Sequence, residues 1–400
     1  MPNYKYTGKN LSGETVEGFQ RAGNQEQLEA KLAENGVFLQ TCHPQSSFLT
    51  TSITSLMKKS EITRLTRQLA VLISSGISIL EAVDSVKEQI DDKRLKVVYD
   101  DIGSSIESGD PLYKAFGRHP EYFDTLYLSL LETGEISGAL DISLERIADY
   151  REKSESISKK IKTALAYPAL VLVIAAVVIF VLIAYVIPIF SSMYTSFGLE
   201  LPDLTQRIIA LSQFLKNSVL YLIILLIVIF NLILIISRTN RFRYLIGGIF
   251  LHAPLLKGLT VKLATARFCR TLGTLLSSGL QLIMAISVAS RTVGNQYIER
   301  KLEFLPQFLA QGKSLANILS ESGIFPKTVA RMTAAGESTG RLGEMFSKTA
   351  NFYESEVNNE ITAVTSIIEP LIIVILGIVI AFILIAMYLP LFELIGQIGT

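Results

Sequence analysis

Two stretches of this chain are near copies of each other. Residues 167–190 read YPALVLVIAAVVIFVLIAYVIPIF, and residues 369–392, 202 positions further on, read EPLIIVILGIVIAFILIAMYLPLF. Each has proline second and closes on Pro-x-Phe, and no charge lies between Pro168 and Pro188 or between Pro370 and Pro390. About 20 consecutive apolar residues span the roughly 30 Å hydrocarbon core of a bilayer. No water is present there to satisfy backbone N–H and C=O groups, so such a segment must be helical. Pro168 and Pro370 are expected at the start of their helices, where the membrane begins and a missing N–H does least harm. A third apolar run, Val219–Ile236, is shorter and contains Asn231. The sequence predicts three membrane-spanning helices.

The duplication extends well before the apolar runs. ETGEISGAL (132–140) matches AAGESTGRL (334–342), and RQLAVLISSGISIL (67–80) matches RTLGTLLSSGLQLI (270–283). The offset changes by one between these pairs, which a single-residue deletion between Gly312 and Gly336 explains. The unit is roughly 125 residues, a water-facing part followed by an outgoing span. Two copies in the same orientation each end on the far side, so the chain must return between them. Val219–Ile236 has no counterpart in either copy and supplies that crossing. These are parallel repeats, unlike the inverted repeats of many transporters.

Lysine and arginine set the orientation. Lys153, Lys159, Lys160 and Lys162 precede the first span, and Arg238, Arg241 and Arg243 follow the second. The segment 191–218 offers only Arg207 and Lys216, and 391–400 has no basic residue. The positive-inside rule puts residues 1–165 and 238–366 in the cytoplasm, and 191–218 and the tail 391–400 in the periplasm. The start, MPNYKYTGKN, has no apolar core of a cleaved signal, so the first span is expected to direct insertion. Half of the 400 residues are hydrophobic and 18% are charged, which fits a membrane protein with large parts in water. A net charge of +1 argues against bulk nucleic-acid binding. Cys42 and Cys269 imply no disulfide framework.

The water-facing parts read as helical. Ile62, Leu65, Leu69, Leu72 and Ile73 fall on one helical face, and Gly76 ends that helix as Gly279 does in the second copy. Asp91 is expected to cap KRLKVVYDDIGSSIES, Asp110-Pro111 to open another helix, and Ser137 to cap a long helix running into the membrane. This gives about six helices per copy. Residues 1–45 differ: NYKYTG and ETVEGFQ alternate like strands, and Asn24 caps QEQLEAKLAEN up to Gly36. The expected fold is mainly α: a small N-terminal α+β module (1–45), a linker (46–60), a first helical bundle (61–165) and a first transmembrane helix (166–190). A periplasmic loop (191–218) and a second transmembrane helix (219–237) lead to a second bundle (238–366), a third transmembrane helix (367–390) and a periplasmic tail (391–400).

Catalytic groups do not converge. His43, His119 and His252 lack metal-ligand spacing. GKS at 312–314 resembles the end of a phosphate loop, but the glycine required five residues before Gly312 is Gln307. SISK at 156–159 matches Ser-x-x-Lys by chance on a charged helix. Gly377 and Ala381 form a small-xxx-small pair that reads equally as a packing face or as filler. No cofactor or metal is expected. The segment GE-x-[ST]-G-x-L occurs twice, as Gly134, Glu135, Ser137, Gly138 and Leu140 and as Gly336, Glu337, Thr339, Gly340 and Leu342. Two glycines with a small hydroxyl residue make a tight helix-to-helix turn whose serine or threonine can cap the next helix. Glu135 and Glu337 either favour that N-terminus electrostatically or face a partner.

With both copies in hand, the chain resembles the GspF/PilC family, the inner-membrane platform proteins of type II secretion systems and type IV pili. Around the first span the similarity rests on Lys160-Ile161, Ala164-Leu165, Tyr167-Pro168, Val171, Ala175, Leu182 and Val186-Ile187-Pro188. LISSGISILEA and GESTGRL add to it, and it covers nearly the whole chain. The copies depart from one another where Glu81 becomes Met284, where Phe325-Pro326 replaces Phe123-Asp124, and where Glu132 stands for Ala334. The resemblance implies a non-enzymatic protein of the bacterial inner membrane whose cytoplasmic bundles contact a hexameric assembly ATPase. It also implies pilin or pseudopilin subunits and other inner-membrane assembly proteins as partners, and a homo-oligomer in the lipid bilayer. A type IV pilus is the favoured machine, with the MSHA pilus one candidate and a type II secretion system the alternative. A transporter is disfavoured because spans one and three carry no ionisable group.

Overall fold

The computed structural model describes residues 3–10, 15–21, 29, 32, 37–44, 51–189, 203–237 and 239–398. The chain divides into two units, Met1–Ile62 and Thr63–Thr400. In the first, β1 (Asn3–Asn10) lies between β2 (Thr15–Arg21) and β3 (Val37–Pro44) and is antiparallel to both. β1 and β2 are the strands expected in NYKYTG and ETVEGFQ; β3 completes the sheet, its register slipping between Thr7 and Gly8. The helix expected from Asn24 to Gly36 lies outside the described residues except at Glu29 and Leu32, which are helical. Helix α1 (Thr51–Ser74) begins inside the stretch expected as a linker. Ile53, Leu56 and Met57 continue its apolar spacing backward, which the serines and threonines obscure.

The second unit is two versions of one helical bundle. The first has α1 from Thr63 onward, α2 (Ile79–Glu88), α3 (Lys93–Glu107), α4 (Leu112–Gly117), α5 (Thr125–Ser137) and α6 (Leu140–Val181). Then come α7 (Asp203–Ile236) and α8 (Asn240–His252). The second bundle has α9 (Pro254–Ser277), α10 (Leu282–Arg291), α11 (Gln296–Leu302), α12 (Leu305–Ala310), α13 (Leu315–Glu321), α14 (Lys327–Thr339) and α15 (Leu342–Ile398). What is one helix in the first copy, α3, is broken in the second into α11 and α12.

Each core follows from the apolar stripes. Leu69, Val83, Tyr99, Phe116, Phe123, Tyr127 and Leu144 are buried in the first bundle, where the Phe123 ring lies 4.7 Å from Phe116 and 4.9 Å from Tyr127. Phe268, Leu272, Ile298, Val329 and Phe346 are buried in the second. Gly76 and Gly279 end their helices with φ of 84° and 85°, a left-handed conformation that glycine adopts without a Cβ clash.

Three local expectations are corrected. Asp92, not Asp91, caps α3, its carboxylate accepting from the Arg94 N–H at 2.7 Å. Asp110 does not cap α4. Its carboxylate instead accepts from Ser105 Oγ and the Arg118 guanidinium, and Pro111 occupies the cap position without a side-chain bond. Pro168 and Pro370 do not start helices but lie inside α6 and α15, because bundle helix and apolar helix are continuous. In helices of 42 and 57 residues one missing hydrogen bond is a small fraction of the ladder.

Among the described residues two helices are long and apolar enough to cross a membrane, Leu140–Ile189 and Leu342–Ala386. The first includes a π turn at Leu182–Val186, and the Ile183 carbonyl accepts from Ser212 Oγ of α7 at 2.5 Å. The two apolar helices meet through Ile187, Ile383 and Ala386, with Ile183 and Val379 beside them. Among the described residues Gly377 has no neighbour within contact of a Cβ placed on it, so the small-xxx-small pair is not the packing face between these two helices. The third expected run is the C-terminal part of α7, a helix that begins at Asp203 and so takes in much of the expected loop.

Candidate functional site

The twice-written GE-x-[ST]-G-x-L segment is the end of α5 in the first copy and of α14 in the second. Gly138 and Gly340 follow these helices with φ of 69° in each copy. The next N–H turns back to the helix: Ala139 N donates to Gly134 O at 2.9 Å, and Arg341 N to Gly336 O at 3.0 Å. This 6→1 bond is the signature of a Schellman stop. Gly134 and Gly336 let the following helix fold close. A Cβ on Gly134 would lie 2.5 Å from Ser143 Cβ, and one on Gly336 would lie 3.1 Å from Leu342 Cα.

Ser137 and Thr339 do not cap the next helix. Ser137 Oγ donates back to Gly134 O at 3.3 Å, and Thr339 Oγ1 to Ala335 O at 2.7 Å. The cap position of α6 is Ala139, which has no side-chain bond to give. The left-handed glycine turns the chain after these hydroxyls, so they stay with the helix they end.

The glutamates serve a different N-terminus from the expected one. Glu135 accepts from the Leu112 and Tyr113 N–H groups at 2.8 and 3.2 Å, at the start of α4. Glu337 accepts from Leu315 N and Ala316 N at 2.6 and 3.4 Å, and from Ser314 Oγ at 2.7 Å, at the start of α13. Each carboxylate supplies a cap from more than 20 residues away, satisfying N–H groups that Pro111 and Ser314 leave open. Both side chains are half-buried and hold the preceding short helix against the turn.

A second paired feature escaped the sequence reading. Arg67 on α1 grips α6: its Nε donates to Glu152 at 2.6 Å, one terminal nitrogen donates to Glu152 at 2.8 Å, and the same nitrogen reaches Asp149. Arg270 on α9 grips α15 in the same way, with both bonds to Glu354 at 2.7 Å and one to Asn351 at 2.5 Å. These bonds to carboxylates raise the Arg67 guanidinium above its ordinary value. Arg67 and Arg270 open the matched stretches quoted above, and Glu152 and Glu354 keep the repeat offset. That coincidence of charge and spacing was the available signal.

The bundles join where α6 of the first crosses the second. Tyr150, Lys153, Ser154 and Ile157 line a crevice with Ala266, Arg267, Arg270 and Glu354. Thr271 Oγ1 donates to the Tyr150 hydroxyl at 3.4 Å, and Arg146 donates to Ser278 Oγ at 2.7 Å. Burial lowers the Arg267 guanidinium below its ordinary value and raises the Tyr150 phenol. Among the described residues no group of three His, Cys, Asp or Glu side chains could hold a metal. His119 bonds Asp101 at 2.8 Å, and the Cys269 thiol is buried in the second core.

Tandem helical bundles, each running without a break into an apolar helix, define a class of membrane protein built from parallel repeats. The family described as type II secretion system protein F matches residues 65–188 and again 268–390, and the N-terminal domain of that family matches residues 1–42. The chain belongs to this family, the GspF/PilC family. It is 35% identical to a type IV pilus assembly protein PilC of Myxococcus xanthus, over 99% of this chain and 95% of that protein. A PilC of Pseudomonas aeruginosa is also 35% identical, over 86% and 92% respectively. A type II secretion system protein F of Xanthomonas campestris is 29% identical over the full length of both.

Proposed function

We propose that this chain is a non-enzymatic inner-membrane platform that couples a cytoplasmic assembly ATPase to the extraction and assembly of pilin subunits in a type IV pilus. The observation that carries this reading is the continuity of α6 and α15, each of which belongs to a bundle at one end and is apolar at the other. A helix without a break transmits displacement and torque, whereas a flexible linker dissipates them. The relatives named for type IV pilus assembly are more similar to this chain than the one named for type II secretion. The equivalent platform of a type II secretion system, acting on pseudopilins, is the second reading.

The reading includes three spans, with the C-terminal part of α7 as the return crossing. The N-terminal α+β module and both bundles are then cytoplasmic, and 191–218 and the C-terminus periplasmic. It includes the domain order given above, with α1 starting at Thr51 and α7 at Asp203, a homo-oligomer and contacts with other inner-membrane assembly proteins. The surfaces around Glu135 and Glu337 are the docking candidates for the ATPase, with the carboxylates holding the short helices α4 and α13 in place.

A flexible glycine-serine segment inserted between Lys162 and Thr163, or between Thr365 and Ser366, tests the coupling. Cells lacking the native chain and carrying either insertion are expected to make the protein at normal levels but assemble no pili. Normal pilus number with the insertions would sink the lever mechanism.

A further inference from the structure

Helix α8 has no counterpart among the described residues of the first copy, and its two faces differ. One face is pinned to the second bundle. Gly247 is buried, and Asn295 Nδ2 donates to its carbonyl at 3.1 Å. A Cβ there would lie 2.5 Å from Asn295 Oδ1. Tyr244 on the same face stacks near Tyr297, with ring centroids 5.1 Å apart, and the Arg300 guanidinium sits 4.8 Å from the Tyr244 ring. The opposite face is open. Leu245 and Ile249, one turn apart, are 62% and 64% exposed, and Phe250 is 45% exposed. Arg241 and Arg243 are exposed on either side of this apolar strip at 100° per residue.

The orientation of α8 follows from its neighbours. Helix α9 runs antiparallel along α15: Gly258 lies against the Glu360 side chain, Gly273 against Ser347 and Gly343 against Ser277. Lys262 ties the pair, bonding Glu356 at 2.9 Å and Glu360 at 2.7 Å. Continuing that register, Pro254 at the start of α9 faces α15 about five residues before Pro370, where the apolar run begins. At 1.5 Å per residue this is about 8 Å below the hydrocarbon edge. The axis of α8 is turned 114° from that of α9. A helix roughly perpendicular to α9 and α15, at that depth, lies along the plane of the membrane surface. Its N-terminus follows the end of α7 within four residues, which fixes it at the same level.

We infer that α8 is a membrane-surface helix that sets Leu245, Ile249 and Phe250 into the headgroup boundary and binds anionic lipid headgroups through Arg241 and Arg243. It anchors the second bundle to the bilayer at a site the first bundle lacks. An amphipathic helix with arginines flanking an apolar strip binds by buried apolar area plus attraction to anionic lipid. A protein partner would need to reach a face turned toward the bilayer. The inference rests on the reading of α7 as a span, and the experiment separates the two.

The full chain carrying Cys42→Ala, with an environment-sensitive fluorophore on Ile249→Cys, is reconstituted into vesicles of phosphatidylethanolamine and phosphatidylglycerol. Companion labels are placed at Leu245→Cys, at Val228→Cys in α7 and at Glu107→Cys on the exposed surface. Quenching is read with iodide in water and with lipids carrying a nitroxide at shallow or deep positions. Labels at 245 and 249 are expected to be quenched by shallow nitroxide and several-fold less by iodide than the label at 107. Adding Arg241→Gln and Arg243→Gln, or using phosphatidylcholine alone, should lower the inserted fraction, with each arginine worth about fivefold in partition. Iodide access at 245 and 249 equal to that at 107 overturns the inference. So does shielding from both quenchers, which means that protein covers the face, and so does equal insertion in neutral and anionic vesicles. Deep quenching at 228 with any of these results leaves the span intact and removes only the surface helix. No lipid quenching at 228 means that the span reading has failed.

Discussion

The two copies carry the same arginine clamp in different surroundings. Arg67 keeps 31% of its side chain exposed, and its partners Asp149 and Glu152 keep 58% and 46%. Arg270 and Glu354 keep only 12% and 17%. The difference is not in the clamp, because helix α6 of the first copy lies over the second copy's clamp. At the repeat-related positions, Tyr150 lines the crevice beside Arg267, whereas Phe352 is 54% exposed and Arg64 is exposed. A tandem pair has one internal interface and two outer faces, so like residues acquire unlike environments.

The largest expected effect breaks the clamps. Arg270→Met leaves Glu354 poorly solvated and should cost about 3–5 kcal/mol, while Arg67→Met leaves its carboxylates in water and should cost about 1 kcal/mol or less. Thermal unfolding of the full chain in detergent measures both, and equal shifts would mean that the coverage of the second clamp has no energetic consequence. Next is the aromatic pair. Tyr150→Ala removes a ring from the internal interface and should cost about 2 kcal/mol, whereas Phe352→Ala should stay within about 0.5 kcal/mol. A larger loss at Phe352 would show that its face is covered in the intact protein.

Two smaller effects should be symmetric and so sharpen the contrast. Gly138→Ala and Gly340→Ala each force a Cβ into the left-handed region and should each cost about 1 kcal/mol. Glu135→Gln and Glu337→Gln weaken a cap by about 0.5–1 kcal/mol. Hydrogen exchange should speed up at Leu112 and Tyr113 in the first variant and at Leu315 and Ala316 in the second. Unchanged exchange at those amides would show that the carboxylates do not cap α4 and α13 in solution.

Much of this was legible in the sequence because it depends on local pattern. A charge-free run between Pro168 and Pro188 has few ways to exist, and the turn glycines Gly76, Gly138 and Gly340 mark their own backbone. The capping roles were not legible. Cap rules look to the residue before a helix, and there they point to Asp110 and Ser137. The groups that do the work are Glu135 and Glu337, brought in from the far end of a later helix.

The duplication, the apolar helices and the glycine stops at Gly76, Gly138 and Gly340 were readable along the chain, because periodicity, charge and glycine conformation act within a few residues. Which of two closely similar clamps is covered, which aromatic lines a crevice, and which helix N-terminus each glutamate serves were set by packing between distant segments. Those outcomes depend on how the first copy stacks against the second. Copies so alike in sequence carry no local mark of which faces will meet, since solvent exclusion belongs to the assembled surface and not to any residue alone.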